Sequence, residues 1–183
     1  MINYELLHKS IEFYQQSGFT RLETPWTVTA AVSAITKPPD KKDFSLEGRG
    51  KVLVASGEQS FLYLYLKGFI PKGKFQTITP CFRDEPFDSI HTKYFLKNEL
   101  IITDTVNTAT LLNIVSIAKE FFEKITNAPI KVVTIGEQAY DLVYNDIELG
   151  SYGIRHCDFL EWVYGTGIAE PRTSAAIKKY GIS

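Results

Sequence analysis

The sequence predicts an α+β fold, and three observations carry that reading. Residues 76–102, QTITPCFRDEPFDSIHTKYFLKNELII, read as strand, loop, strand: β-branched residues alternate with others through QTITPCF, Pro86, Asp88 and Ser89 make a turn-rich middle, and YFLKNELII resumes the strand. Residues 103–124 form the clearest amphipathic helix, with Leu111, Leu112, Ile114, Val115, Ile117, Ala118, Phe121 and Phe122 at helical spacing, expected to pack on the back of the sheet. A second helical spacing, Leu6, Leu7, Ile11 and Phe13–Tyr14, covers residues 2–16. With 183 residues, the chain is long enough to bury a core as one domain.

The remaining elements follow in chain order. Gly18 is a natural cap for the first helix. FTRLETPWTVT runs extended, and Pro25 removes a ladder donor, which suits an edge or interface strand. Residues 31–51 read as loop, with PPDKKD and EGRG exposed. Val52–Ala55 is a buried strand. Ser56 then opens a helix through FLYLYL to Gly68, and Ser56 followed by Glu58 or Gln59 fits a capping box. After the long helix, residues 130–136 form a strand. GEQAYDLVYNDIELGSYGIRH carries Asp141, Glu148 and Arg155 among apolar residues, and VYGTGIAEPRTSAAIKKY is a Gly-rich strand entering a helix at Arg172.

Composition excludes several classes. Apolar content of 44% and charged content of 22% are those of a globular protein. No apolar run approaches the roughly 20 residues of a membrane span. The net charge is −1, with no basic cluster for strong nonspecific nucleic-acid binding. Cys81 and Cys157 lack metal-ligand spacing and read as buried thiols in a reducing compartment, which points to the cytoplasm.

The hairpin carries the chemistry. Arg83 and Glu85 are two apart, as are Phe95, Lys97 and Glu99, so each set shares a face. A guanidinium, carboxylates and an aromatic ring on one face suit a nucleotide: the guanidinium pairs with phosphate, a carboxylate accepts from an exocyclic amine and the ring stacks on a base. The plain alternative is a hairpin with a salt-bridged outer face. Likewise, Asp141 and Glu148 are either exposed acids on a strand or ligands for Mg²⁺, a hard cation that takes oxygen.

Three segments in order resemble the motifs of class II aminoacyl-tRNA synthetases. CFRDE, His91, Phe95 and Glu99 look like motif 2; GFTRLETP is similar to motif 1, closest to the aspartyl and lysyl subgroup; VYGTGIAEPR looks like motif 3, with Ala169 where the family usually has Gly and Pro171 inserted before Arg172. YDLVYNDIELGSYGIR resembles the stretch before motif 3 in aspartyl-tRNA synthetases and in the ammonia-dependent asparagine synthetase. The resemblance implies an antiparallel sheet flanked by helices and a homodimer formed through residues 10–28 or so.

It also implies roles. Arg83 would hold the α-phosphate of ATP, Glu85 would read the adenine amino group, His91 and Arg172 would reach the terminal phosphates, and Phe95 would stack on adenine. Asp141 and Glu148 would carry Mg²⁺. Glu58, Gln59, Glu99 and Ser151 would bind the amino acid, with Arg155 on an acidic or amide side chain. The expectation is a stand-alone catalytic domain spanning residues 1–183, without an anticodon-binding domain. It would adenylate a small amino acid, aspartate or asparagine first, for transfer to ammonia, a protein or peptide, or a tRNA acceptor stem. The alternatives are a catalytically silent relative that senses an amino acid or nucleotide or regulates a partner, and one piece of a split enzyme.

Overall fold

The structure is a computed structural model that describes residues 1–84 and 93–181. Along the chain the elements are α1 (Tyr4–Gln16), β1 (Thr20–Arg21), β2 (Thr27–Thr29), α2 (Ala30–Ala34), β3 (Ser45–Leu46), β4 (Lys51–Leu53) and α3 (Gly57–Leu66), then β5 (Lys74–Phe82), β6 (Tyr94–Ile102) and α4 (Thr108–Thr126), and last β7 (Lys131–Gly136), β8 (Ala139–Tyr144), β9 (Ile147–Cys157), β10 (Leu160–Glu170) and α5 (Arg172–Tyr180). Seven strands form one sheet in the order β1-β5-β6-β10-β9-β8-β7, and β2, β4 and β3 form a small second sheet. Strand β1 runs parallel to β5; the other pairings are antiparallel. The α+β expectation therefore holds.

Local chemistry sets the helix ends. The Asn3 side chain accepts from the Leu6 amide to cap α1, and Gly18 leaves that helix with φ 89°. The long helix starts at Thr108 rather than near 103, because the Asn107 side chain accepts from the Thr110 amide and fixes the start. The 31–51 stretch is more ordered than its turn residues suggest. Thr29 caps the short α2, and β3 and the start of β4 pair with each other. Strand β7 is an edge strand and mostly exposed.

The back of the large sheet carries the main core. Helices α1 and α4 cover it, with Tyr14, Leu111, Ile114, Phe121 and Phe122 packed against Leu100, Leu142, Leu149 and Tyr152. At roughly 1.5–3 kcal/mol per fully buried large side chain, the α4 stripe outweighs the weak tendency of an isolated helix to form. On the front, a smaller core of Val28, Val54, Phe61, Leu62, Ile101 and Trp162 holds α3 and the second sheet against one half. The other half of the front face stays polar and open. No described helix is long and apolar enough to cross a membrane.

Candidate active site

The open half of the front face floors a cavity of about 350 Å³. Strand alternation supplies most of the floor: Phe95 and Lys97 from β6, Tyr164 and Thr166 from β10, Ser151 and Arg155 from β9. Two bulges complete it. In β9 the register shifts between Leu142↔Gly150 and Val143↔Glu148, which turns Glu148 to the same face as Ser151 although the two are three residues apart. In β10 the pairing shifts between Thr166↔Glu99 and Ile168↔Asn98. That shift sends Ile168 into the back core and brings Ala169 to the cavity.

The N-terminus of α3 is pressed onto the sheet. A Cβ on Gly57 would lie 2.9 Å from the Glu99 Cβ and 3.1 Å from Thr77, so only glycine allows this approach. Ser56 accepts from the Glu58 amide at 3.2 Å and donates to Glu99 at 2.5 Å. Gln59 accepts from the Ala55 amide at 2.8 Å and donates to Ser33. The capping alternative thus holds for Ser56, and the Gln59 amide is fully engaged in holding the turn.

Glu58 and Glu99 are buried, 3% and 1% exposed. Glu58 accepts from Arg155 at 2.6 Å on one oxygen and from the Trp162 indole at 2.6 Å on the other. Burial pushes its carboxyl above the ordinary range, against the pull of the Arg155 guanidinium. Glu99 takes Ser56 on one oxygen and Lys97, at 2.8 Å, on the other. Both acids expected to bind the amino acid are therefore already paired within the chain. Arg155 also lies over the Tyr164 ring, 4.2 Å from its centroid.

Arg83 sits just beyond the end of β5. Its Nε donates to the Ala55 carbonyl at 3.1 Å and its guanidinium lies 5.0 Å from the Phe95 ring centroid. Across the cavity, Arg172 opens α5 and donates to Glu148 at 3.0 Å. Pro171 occupies the N-cap, where no amide donor is required. Asp141 lies opposite Ser151 on β8, beside Glu148 and Arg172 but outside the cavity lining. Its Oδ1 is buried without a partner, and burial pushes its carboxyl above the usual value.

Two carboxylates here fit Mg²⁺, which binds through one or two carboxylates together with phosphate and water. No group of three or more His, Cys, Asp or Glu side chains placed to hold a metal ion exists among the described residues. Glu85 and His91 lie outside the described residues. Among the described residues the lining gathers seven cationic side chains against Glu58, Asp84 and Glu148, in a chain whose net charge is −1. A cavity of this charge attracts a polyanion.

Sequence reasoning missed Ser56, Tyr164 and Thr166 as parts of this site, as well as Lys41 and Lys42 from the loop before β3, and missed Trp162 as the buried partner of Glu58. Lys97 could have been found, since it shares a strand face with Phe95 and Glu99. Cys81 is buried and Cys157 only partly so, and both are free thiols.

No family model matches the sequence, and a comparison with curated protein sequences gives no match. Solved structures do match. Pyrrolysyl-tRNA synthetase from Desulfitobacterium hafniense superposes with a TM-score of 0.77 at 20% identity, over 98% of this chain and 70% of that one. The fold is that of class II aminoacyl-tRNA synthetases. Seryl-tRNA synthetase from Pyrococcus horikoshii, complexed with ATP, gives 0.73 at 15% identity over 94% of this chain and 48% of that chain. The cytoplasmic serine-tRNA ligase from Naegleria fowleri, in complex with AMP, gives 0.72 at 16% over 93% and 52%. This chain thus spans about half the length of the two seryl structures. On the synthetase fold, the cavity lies on the front of the antiparallel sheet, with Arg83 and Arg172 at opposite sides.

Proposed function

We propose that this domain activates a small amino acid with ATP, forming an aminoacyl-adenylate. The observation that carries the reading is the convergence of Arg83 on Phe95, the Arg172–Glu148 pair and the buried Glu58 around one cavity, from segments up to 114 residues apart. The ATP- and AMP-bound state of the two seryl structures supports a nucleotide at this fold's site.

In the reaction a substrate carboxylate oxygen forms a bond to the α-phosphorus, the bond to the bridging oxygen breaks, and pyrophosphate leaves. Arg83 is the catalytic residue that stabilises charge at the α-phosphate, and Arg172 holds the terminal phosphates. Phe95 packs against the adenine, with Glu85 and His91 as further ATP contacts. Asp141 and Glu148 would hold Mg²⁺, which neutralises phosphate charge. Glu58, Gln59, Glu99, Ser151 and Arg155 shape the amino-acid end, with aspartate or asparagine as the candidates that the sequence resemblance suggests. The residues position and neutralise; little covalent chemistry is asked of them.

The acceptor is ammonia, a protein or peptide, or a tRNA acceptor stem. The domain works in the cytoplasm as a homodimer through residues 10–28 or so, where Trp26 is 60% exposed. A sedimentation mass of one chain at micromolar concentration would remove the dimer.

A second reading, a silent synthetase-like sensor, is favoured by the internal pairing of both buried glutamates. The deciding assay is amino-acid-dependent ATP–pyrophosphate exchange with Mg²⁺ across the twenty amino acids. Exchange with one of them establishes adenylation. ATP binding without exchange identifies the sensor, and absence of ATP binding removes both readings.

A further inference from the structure

The side-chain end of the cavity is electrically complete. Glu58 is held on both oxygens, by Arg155 and by Trp162. Glu99, the neighbouring buried acid, is matched by Lys97. Two carboxylates thus meet two cations. A third carboxylate brought beside Arg155 would face the buried charges of Glu58 and Glu99 while the two cations next to them, Arg155 and Lys97, are already paired, a like-charge arrangement in a site where burial weakens screening. An uncharged group meets no such opposition. Arg155 keeps donors beyond the NH1 that Glu58 engages, its side chain is 40% exposed, and the hydroxyl-bearing Ser151, Tyr164 and Thr166 line the same end. These groups suit a carboxamide or hydroxyl.

We infer that Glu58 is a specificity-determining residue: by occupying Arg155 it restricts this end of the site to small amino acids with uncharged side chains and excludes aspartate. The inference rests on the amino-acid reading of the cavity and narrows it. Glu58 acts as the built-in counterion that an acidic substrate would otherwise supply.

The test is calorimetric titration of the protein, with Mg²⁺ and a non-hydrolysable ATP analogue, using L-asparagine, L-serine and L-aspartate. The wild-type protein is expected to bind asparagine or serine at least ten-fold more tightly than aspartate. Glu58→Gln removes the internal counterion and should reverse that order. Aspartate binding as tight as that of the neutral amino acids in the wild type overturns the inference without any variant. So does a Glu58→Gln protein with a native circular dichroism spectrum and no gain for aspartate. If Glu58→Gln does not fold, the uncharged pair Glu58→Gln/Arg155→Gln replaces it. That protein is expected to keep the preference for neutral amino acids, and aspartate binding by it overturns the inference. Pyrophosphate exchange then separates the two readings. Selective neutral binding without exchange leaves this inference and sinks adenylation, whereas exchange with aspartate sinks the inference and leaves adenylation. Binding of none of the three sinks the inference, while exchange across the full panel still judges adenylation.

Discussion

The guanidinium of Arg83 lies 5.0 Å from the ring centroid of Phe95 while its Nε donates to the Ala55 carbonyl. The ring and the carbonyl together fix the plane of the guanidinium, so its remaining donors are aimed before any ligand arrives. Arg83→Ala should lower exchange by about 10²–10³-fold, the usual loss for one preorganised charge-stabilising donor. Arg83→Lys should fall nearly as far, because an ammonium has neither the plane nor the fork. Steady-state kinetics decide the point, and an Arg83→Ala protein of normal activity would remove the mechanism.

Glu148 reaches the cavity through the β9 bulge and is held there by Arg172. With Asp141 beside it, it is the exposed member of the pair proposed for Mg²⁺. Glu148→Gln should raise the Mg²⁺ concentration needed for half-maximal ATP binding by at least about 10-fold, since losing a group that merely supports a metal ligand already costs about 10–100-fold. Titrating ATP at a series of Mg²⁺ concentrations measures it; an unchanged midpoint removes Glu148 from the metal site.

Gly57 sets how closely α3 approaches the sheet. Gly57→Ala places a methyl 2.9 Å from the Glu99 Cβ, where real side chains do not sit. The expected cost is about 1–3 kcal/mol of stability by overpacking. Urea unfolding should show a lower midpoint at unchanged slope, and a stability equal to wild type would mean that α3 can lift without penalty.

Alkaline pH should unfold the domain earlier than its exposed residues suggest. Burial pushes the Cys81 thiol up to about 12 and holds the Tyr14 and Tyr152 hydroxyls protonated well above the ordinary tyrosine range. In the unfolded chain these groups lose their protons near pH 9–10. Above that pH the unfolded state binds fewer protons than the folded one, so stability falls as pH rises, by up to about 1.4 kcal/mol per pH unit for each group. Denaturant midpoints at pH 8, 9.5 and 10.5 should decline, and Tyr14→Phe, which loses the hydrogen bond to the Gly167 carbonyl, should decline less steeply. A flat profile would contradict the burial of these groups.

Some of this was legible in the chain alone. The helix at the N-terminus, the hairpin and the long amphipathic helix follow from local periodicity, and Gly18 and Ser56 mark element ends by their own hydrogen-bonding and backbone chemistry. Phe95, Lys97 and Glu99 share a face because the period of a strand is two, whatever lies next to it. The same rule fails at Glu148 and Ala169. A bulge is set by the register against the neighbouring strand, and no local pattern announces it.

The sequence by itself determined the α+β class and the order of the first helix, the hairpin and the long amphipathic helix. These depend on periodicity and on interactions a few residues apart. Only the tertiary structure decided which charges meet. Arg155 and Glu58 stand 97 positions apart, and Trp162 and Glu58 104. Glu58 carries the same formal charge in the sequence whether it awaits a ligand or already holds a guanidinium. Burial and the partner delivered by another strand separate those states, and both are properties of the folded sheet.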